Sequence, residues 1–168
     1  MEEPIHIDAF RIGSDTWVSA FSGAGLTGLW FPGRFPVEIN ADTGHRPSRQ
    51  VQEWQKATRQ WVKDYLQGKQ PGARTVPPLD LQLGTPFQQS VWLALQSIPY
   101  GKTRSYGEIA KKIRKPKAVR AVGGACGANP IPLIIPCHRV LATNRKLGGF
   151  SGGIEWKQHL LDLEGVEI

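Results

Sequence analysis

Cysteine is scarce in this chain. Only two of 168 residues are cysteine, with ten residues between them and no CxxC arrangement. They make neither a disulfide framework nor a thiolate zinc site, so a reducing compartment is expected, with no metal and no cofactor. No apolar run approaches the length that spans a bilayer, and the stretch MEEPIHIDAF lacks the basic start and apolar middle of a signal peptide. The expectation is a cytoplasmic monomer, nuclear in a eukaryote, with no membrane contact. The first 83 residues also lack paired carboxylates and a phosphate-binding loop. Chemistry is expected further on.

Charge is unevenly spread. Residues 1–83 carry nine Lys/Arg and nine Asp/Glu, whereas residues 84–168 carry twelve and five, so the formal net charge of +7 lies in the second half. A basic half beside a neutral half is the electrostatic footprint of one nucleic-acid-binding domain. Two domains are expected, 1–83 and 84–168. The hydrophobic fraction of 40% is enough for a core.

Residues 5–40 alternate short apolar runs with Gly, Pro and Ser and predict two or three antiparallel strands. From Arg46 to Gly68 the period becomes helical: Ser48 is the expected cap, Val51, Trp54, Thr58, Trp61, Val62 and Tyr65 share one face, and Gly68 is a stop. LDLQL at 79–83 reads as a last short strand. Thr85 and Gln88 then have capping-box spacing with Pro86 at the first helical position, and Ser105 and Glu108 repeat the spacing.

The second of these helices, a basic turn at 114–117 and the helix AVRAVGGACGA make a helix-turn-helix plan. The last helix has no Asn, Gln or Lys after its start to read base edges. Ala121, Gly123, Gly124 and Ala125 leave it nearly bare. Mid-helix glycines cost roughly 1 kcal/mol each relative to alanine, which points to close approach of something: duplex DNA bound without sequence preference through its minor groove, or a tightly packed neighbouring helix. The fold class is α+β: a small antiparallel sheet with a helix, then a mainly helical domain with a winged helix-turn-helix.

The stretch Asn129–Val140, NPIPLIIPCHRV, places a cysteine and a histidine together after a proline-rich apolar run. Pro130, Pro132 and Pro136 favour extended backbone, so a buried strand-like segment is expected to end on Cys137. A reactive thiol needs a base or a positive neighbour, and His138 and Arg139 follow directly. The bland alternative is a small buried hydrophobe.

PCHRV at 136–140, preceded by RAVGGACGANP at 120–130 and followed by GGFSGG at 148–153, resembles the O6-alkylguanine-DNA alkyltransferase family. The resemblance runs from about Gly84 to Gly165, half the chain. It implies DNA repair by irreversible transfer of an alkyl group from O6-alkylguanine, with O4-alkylthymine as a second substrate, to Cys137. The nucleotide must first leave the base stack. Arg120 is the candidate finger for the vacated place, and Tyr106 resembles the residue that helps rotate the nucleotide. Gly107 would offer a backbone N–H to a phosphate, and Lys115 and Thr143 fall at backbone-contacting positions.

By the same resemblance His138 takes the thiol proton through a water, Glu164 orients His138, and Asn129 supports the site. Ser151 would face the guanine O6, the Val140 carbonyl its amino group, and Phe150 would form a wall with Lys157 close by. Phe150 stands where many members have Tyr, and Arg145 where a turn glycine is common. Cys126 reads as packing. Two other readings stay open: a cysteine hydrolase using Cys137, His138 and Glu164, and a lesion-recognising relative without transfer, although such relatives lack the cysteine.

Overall fold

The computed structural model describes residues 4–36 and 44–168. Residues 37–40 of the expected strand region lie outside that range. The chain divides into two compact units, Met1–Leu81 and Gln82–Ile168.

The first unit opens with β1 (His6–Ile12), β2 (Asp15–Phe21) and β3 (Leu26–Trp30), an antiparallel sheet in chain order. The β1–β2 register runs from His6 opposite Phe21 to Ile12 opposite Asp15, and Gly13 turns the hairpin at φ 61. Phe10, Trp17, Leu26 and Leu29 supply the buried side of the sheet.

Helix α1 (Arg49–Leu66) packs on β1 and β2. Ser48 Oγ caps it by accepting from Val51 N at 3.2 Å. Val51, Thr58, Trp61, Val62 and Tyr65 are buried as the periodicity predicts, while Trp54 is half-buried. Arg59 of α1 grips the buried Asp8 of β1 through Nε and Nη2. The expected strand at 79–83 is only one bridge, Leu26 to Leu79. Ser22 Oγ donates to the Asp80 carboxylate at 2.6 Å, the Asp80 amide donates to Leu26, and Leu83 points outward at 99% exposure. The chain leaves the sheet there.

In the second unit, helices α2 (Pro86–Gln96), α3 (Tyr106–Lys112) and α4 (Val119–Gly127) pack on one another. Both predicted capping boxes form: Thr85 with Gln88, and Ser105 with Glu108. The helix-turn-helix is α3–turn–α4. Trp92 of α2 donates its indole N–H to the Ala125 carbonyl at 2.8 Å, satisfying one of the last carbonyls of α4.

The second unit also holds a parallel pair only two residues long, β4 (Arg104–Ser105) against β5 (Val140–Leu141). It joins the entry of α3 to the chain that has just passed Cys137. Helix α5 (Ile154–Leu163) closes the unit. Among the described residues no helix is long and apolar enough to cross a membrane.

Candidate active site

The segment that carries the thiol is turned, not extended. Leu133 has φ 76, the Ile135 amide donates to the Ile131 carbonyl at 2.9 Å, and the Cys137 amide donates to the Ile135 carbonyl at 2.8 Å. Pro136, at φ −79 and ψ 63, makes that last contact an inverse γ-turn; the ring that was expected to extend the chain instead sets this turn. Asn129 locks the loop from inside: its Nδ2 donates to Ile135 O at 2.8 Å and its Oδ1 accepts from Ile131 N at 3.0 Å. Cys137 then begins a short 3₁₀ turn, Cys137–Arg139, that separates its side chain from those of His138 and Arg139.

Behind the thiol lies a buried charged cluster. His138 Nε2 and Glu164 Oε1 are 2.8 Å apart, with both side chains wholly buried. Arg139 forks onto the same carboxylate from Nε and Nη2 and donates from Nη1 to the Ile98 carbonyl at 2.7 Å. The Gly101 amide adds a contact to Glu164 Oε2 at 2.9 Å. Arg139 therefore serves Glu164, not the thiol as the sequence suggested. The cation whose field reaches the sulfur is Lys157, fully buried and donating from Nζ to the Val140 carbonyl at 2.7 Å. A carbonyl has two lone pairs, so Val140 keeps an acceptor site.

These surroundings decide the resting protonation. Burial pushes the Cys137 thiol up to about 11, against the opposing pulls of the Asn129 amide and Lys157. The thiol is therefore protonated at neutral pH, and a base must take its proton before the sulfur can attack. Burial likewise lowers the His138 pKa, opposed by Glu164, so the imidazole is neutral and can accept a proton. Glu164, 2.8 Å from Nε2, is placed to stabilise the cation that would form, in the manner of the third member of a hydrolase triad.

Cys137 opens onto a cavity of about 380 Å³. Phe150 and Ser151, which the resemblance assigned to the base pocket, line it together with Tyr106 and Gly149. Helix α4 forms another wall with Gly123, Cys126 and Gly127, so Cys126, read from sequence as packing, faces the same space as Cys137. No local signal marked it. A larger hollow of about 490 Å³ between Ser97, Arg104 and Lys112 is walled by neither cysteine nor histidine.

The remaining predicted residues lie outside the cavity. Arg120 is exposed in the first turn of α4, Thr143 is exposed after β5, and Gly107 is half-buried in the first turn of α3. Lys115 is exposed, with Nζ 5.3 Å from the Phe87 ring centroid. On α4 the bare face is Ala121, Gly124 and Gly127, because Ala125 turns into the core. A Cβ built on Gly123, Gly124 or Gly127 meets nothing within 4 Å. A tight helix–helix contact is thereby excluded as the reason for these glycines. Among the described residues no cluster of three or more His, Cys, Asp or Glu could hold a metal.

Known proteins share the sequence and the fold of this chain. The family model described as 6-O-methylguanine DNA methyltransferase, DNA binding domain, matches residues 86–166. A methylated-DNA–protein-cysteine methyltransferase of Mycolicibacterium paratuberculosis is 45% identical over 142 residues, 81% of this chain and 85% of that protein. The Haemophilus influenzae protein of the same name is 59% identical over 49% of this chain; there the matched stretch spans about half the relative's length, 46%. The crystal structure of Mycobacterium tuberculosis OGT in complex with DNA superimposes with a TM-score of 0.77 at 40% identity, covering 95% of this chain and 92% of that one. On these matches, which extend through both units, the chain belongs to the 6-O-methylguanine DNA methyltransferase family.

Proposed function

We propose that this protein repairs duplex DNA by moving the alkyl group of O6-alkylguanine onto Cys137, once per molecule. The observation that carries the reading is Cys137 on the wall of a base-sized cavity, with the His138–Glu164–Arg139 cluster behind it. Its relatives' names and the DNA complex of the tuberculosis protein support it.

The reaction is a displacement at carbon. The thiol proton leaves for His138 through a water, and the Cys137 sulfur attacks the alkyl carbon as the bond from carbon to O6 breaks. The departing electron pair stays on guanine, which takes up one proton and leaves neutral. Ser151 at the cavity mouth faces O6, and the free lone pair of Val140 accepts from the exocyclic amino group. Lys157, whose pKa burial lowers, biases the sulfur toward thiolate as it attacks. The product thioether has no acyl bond for water to cleave, so the thiol is not regenerated.

Access requires an extrahelical nucleotide. The basic α3–α4 region approaches the minor groove with the bare face of α4, Arg120 fills the gap in the stack, and Tyr106 and Gly107 meet the displaced strand. Lys115 and Thr143 steady the backbone. Asn129 acts through the loop that holds Cys137, and Phe150 walls the base. The protein is read as a cytoplasmic monomer that needs no cofactor.

Incubation with duplex DNA carrying O6-methylguanine should add one methyl to the protein, and Cys137→Ala should abolish the gain in an intact-mass measurement. Repeated release of demethylated product from one protein molecule would instead favour a hydrolase. Arg120→Ala should slow transfer from duplex DNA far more than from free O6-benzylguanine. Equal losses would remove the finger role.

A further inference from the structure

The mechanism leaves one buried nucleophile without a role. Cys126 lies on α4, is 7% exposed, and shares the 380 Å³ cavity with Cys137, itself 4% exposed. Both are free thiols. Gly123 and Gly127, which flank Cys126 on the cavity wall, have open space where a side chain would stand, so no neighbouring side chain on that wall screens Cys126 from the cavity. The charge of a Cys137 thiolate would raise the Cys126 pKa, and Tyr106 on the same cavity wall feels both sulfurs.

We propose that Cys126 is a second alkyl acceptor that captures the far carbon of a bifunctional O6 substituent, closing a two-carbon bridge to Cys137. The inference rests on the alkyl-transfer reading above. With O6-(2-chloroethyl)guanine, Cys137 forms its bond to the near carbon and guanine leaves, giving S-(2-chloroethyl)-Cys137. The new thioether sulfur displaces chloride from the far carbon and becomes a three-membered sulfonium ring. Cys126 sulfur attacks a ring carbon, one C–S bond of the ring breaks, and the Cys126 proton passes to water. The net change is two thiols and one chloroethyl group becoming one S–CH2–CH2–S bridge, with chloride and a proton released.

Burial pushes Cys126 up to about 12, so it attacks as the neutral thiol. A sulfonium cation is electrophilic enough for that, and a thiol held in the same cavity competes at an effective molarity that reaches on the order of 10⁵ M in well-oriented cases. A methyl group has no second leaving group, so Cys126 stays idle in ordinary repair. With a haloethyl group its capture would keep the sulfonium from alkylating the DNA still bound outside.

The test uses the full chain with duplex DNA carrying O6-(2-chloroethyl)guanine, and O6-methylguanine duplex in parallel. Thiols are counted after denaturation, and the peptide 121–139, which contains both cysteines, is fragmented. The chloroethyl lesion should consume both thiols and give the bridged peptide, whereas the methyl lesion consumes one. Cys126→Ser should convert the bridge to a hydroxyethyl thioether on Cys137. A hydroxyethyl or chloroethyl adduct on Cys137 of the unaltered protein, with Cys126 still free, overturns the inference but keeps the alkyl-transfer reading. Methyl transfer without any chloroethyl transfer also overturns it. No adduct from either duplex overturns both.

Discussion

Helices α1 and α3 end in the same hydrogen-bonded turn, built on different residues. After α1, Gly68 N donates to Tyr65 O and Lys69 N to Asp64 O, with Gly68 at φ 78. After α3, Arg114 N donates to Lys111 O and Lys115 N to Ala110 O, with Arg114 at φ 61. Both are Schellman caps, but the second puts an arginine where glycine is free of strain. The pattern extends beyond the caps. In the first unit every described residue at positive φ is glycine, whereas the second also holds Arg114, Leu133, Asn144 and Arg145 there. Such residues cost of order 1–3 kcal/mol each and gather at functional sites. Leu133 lies in the loop that delivers Cys137, Arg114 is in the helix-turn-helix, and Asn144 and Arg145 lie between β5 and the cavity loop.

Buried polar groups divide the same way. The first unit buries Asp8, Ser19, Ser22 and Thr58, and the second buries Asn129, His138, Lys157 and Glu164. Removing charge from Glu164 should therefore do the greatest damage. Glu164→Gln leaves His138 and Arg139 without their carboxylate, and breaking a buried pair in this way costs about 3–5 kcal/mol. Urea unfolding should show that loss, with slowed methyl transfer beside it. Asp8→Asn is the counterpart in the first unit. Arg59 is half-exposed and screened, so that loss should be about 1 kcal/mol or less and transfer should not change. Equal losses would mean that the two units bury charge for the same reason.

The thiols give a second asymmetry. Both sit in the second unit and both have raised pKa values, about 11 for Cys137 and about 12 for Cys126. In the unfolded chain they ionise from about pH 8.5–9, while the folded protein holds them neutral. The stabilisation is complete below that range and is lost as pH rises through the folded values. For Cys137 alone the loss should reach about 2–3 kcal/mol near pH 11. Melting temperatures taken from pH 7 to 11 should fall, and Cys137→Ala should flatten the fall. An unchanged slope would mean the sulfur is better solvated than its burial implies.

What was legible in the sequence follows the same division. The face of α1 and the two capping boxes depend on neighbours three or four residues away, and they appear as read except that Trp54 is only half-buried. The loop at 131–136 depends on Asn129 reaching inward to two backbone groups, so three prolines were a poor guide to its shape. Arg139 turned to Glu164, and Cys126 reached the cavity wall, through contacts that only the packed unit creates. Cys137, His138, Glu164 and Asn129 were recognisable because their motif is specific. Their resting protonation was not, since it is set by burial.

The smallest expected effect returns to the two caps. If Arg114 is tolerated at φ 61 for its charge, Arg114→Gly should stabilise the fold by up to about 1 kcal/mol, because glycine adopts the left-handed conformation without a Cβ clash and loses part of that gain as unfolded-chain entropy. The turn carries Lys111, Lys112, Lys115 and Lys117 beside it, all exposed, so one charge fewer should weaken DNA binding without abolishing it. The salt dependence separates charge from shape: neutralising one phosphate fewer lowers the slope of log K against log salt by about 1. A variant that is more stable, binds DNA more weakly and shows the shallower slope would assign the strain to DNA binding. If stability rises while affinity and slope stay put, Arg114 neutralises no phosphate, and the contrast with Gly68 is one of sequence without consequence for binding.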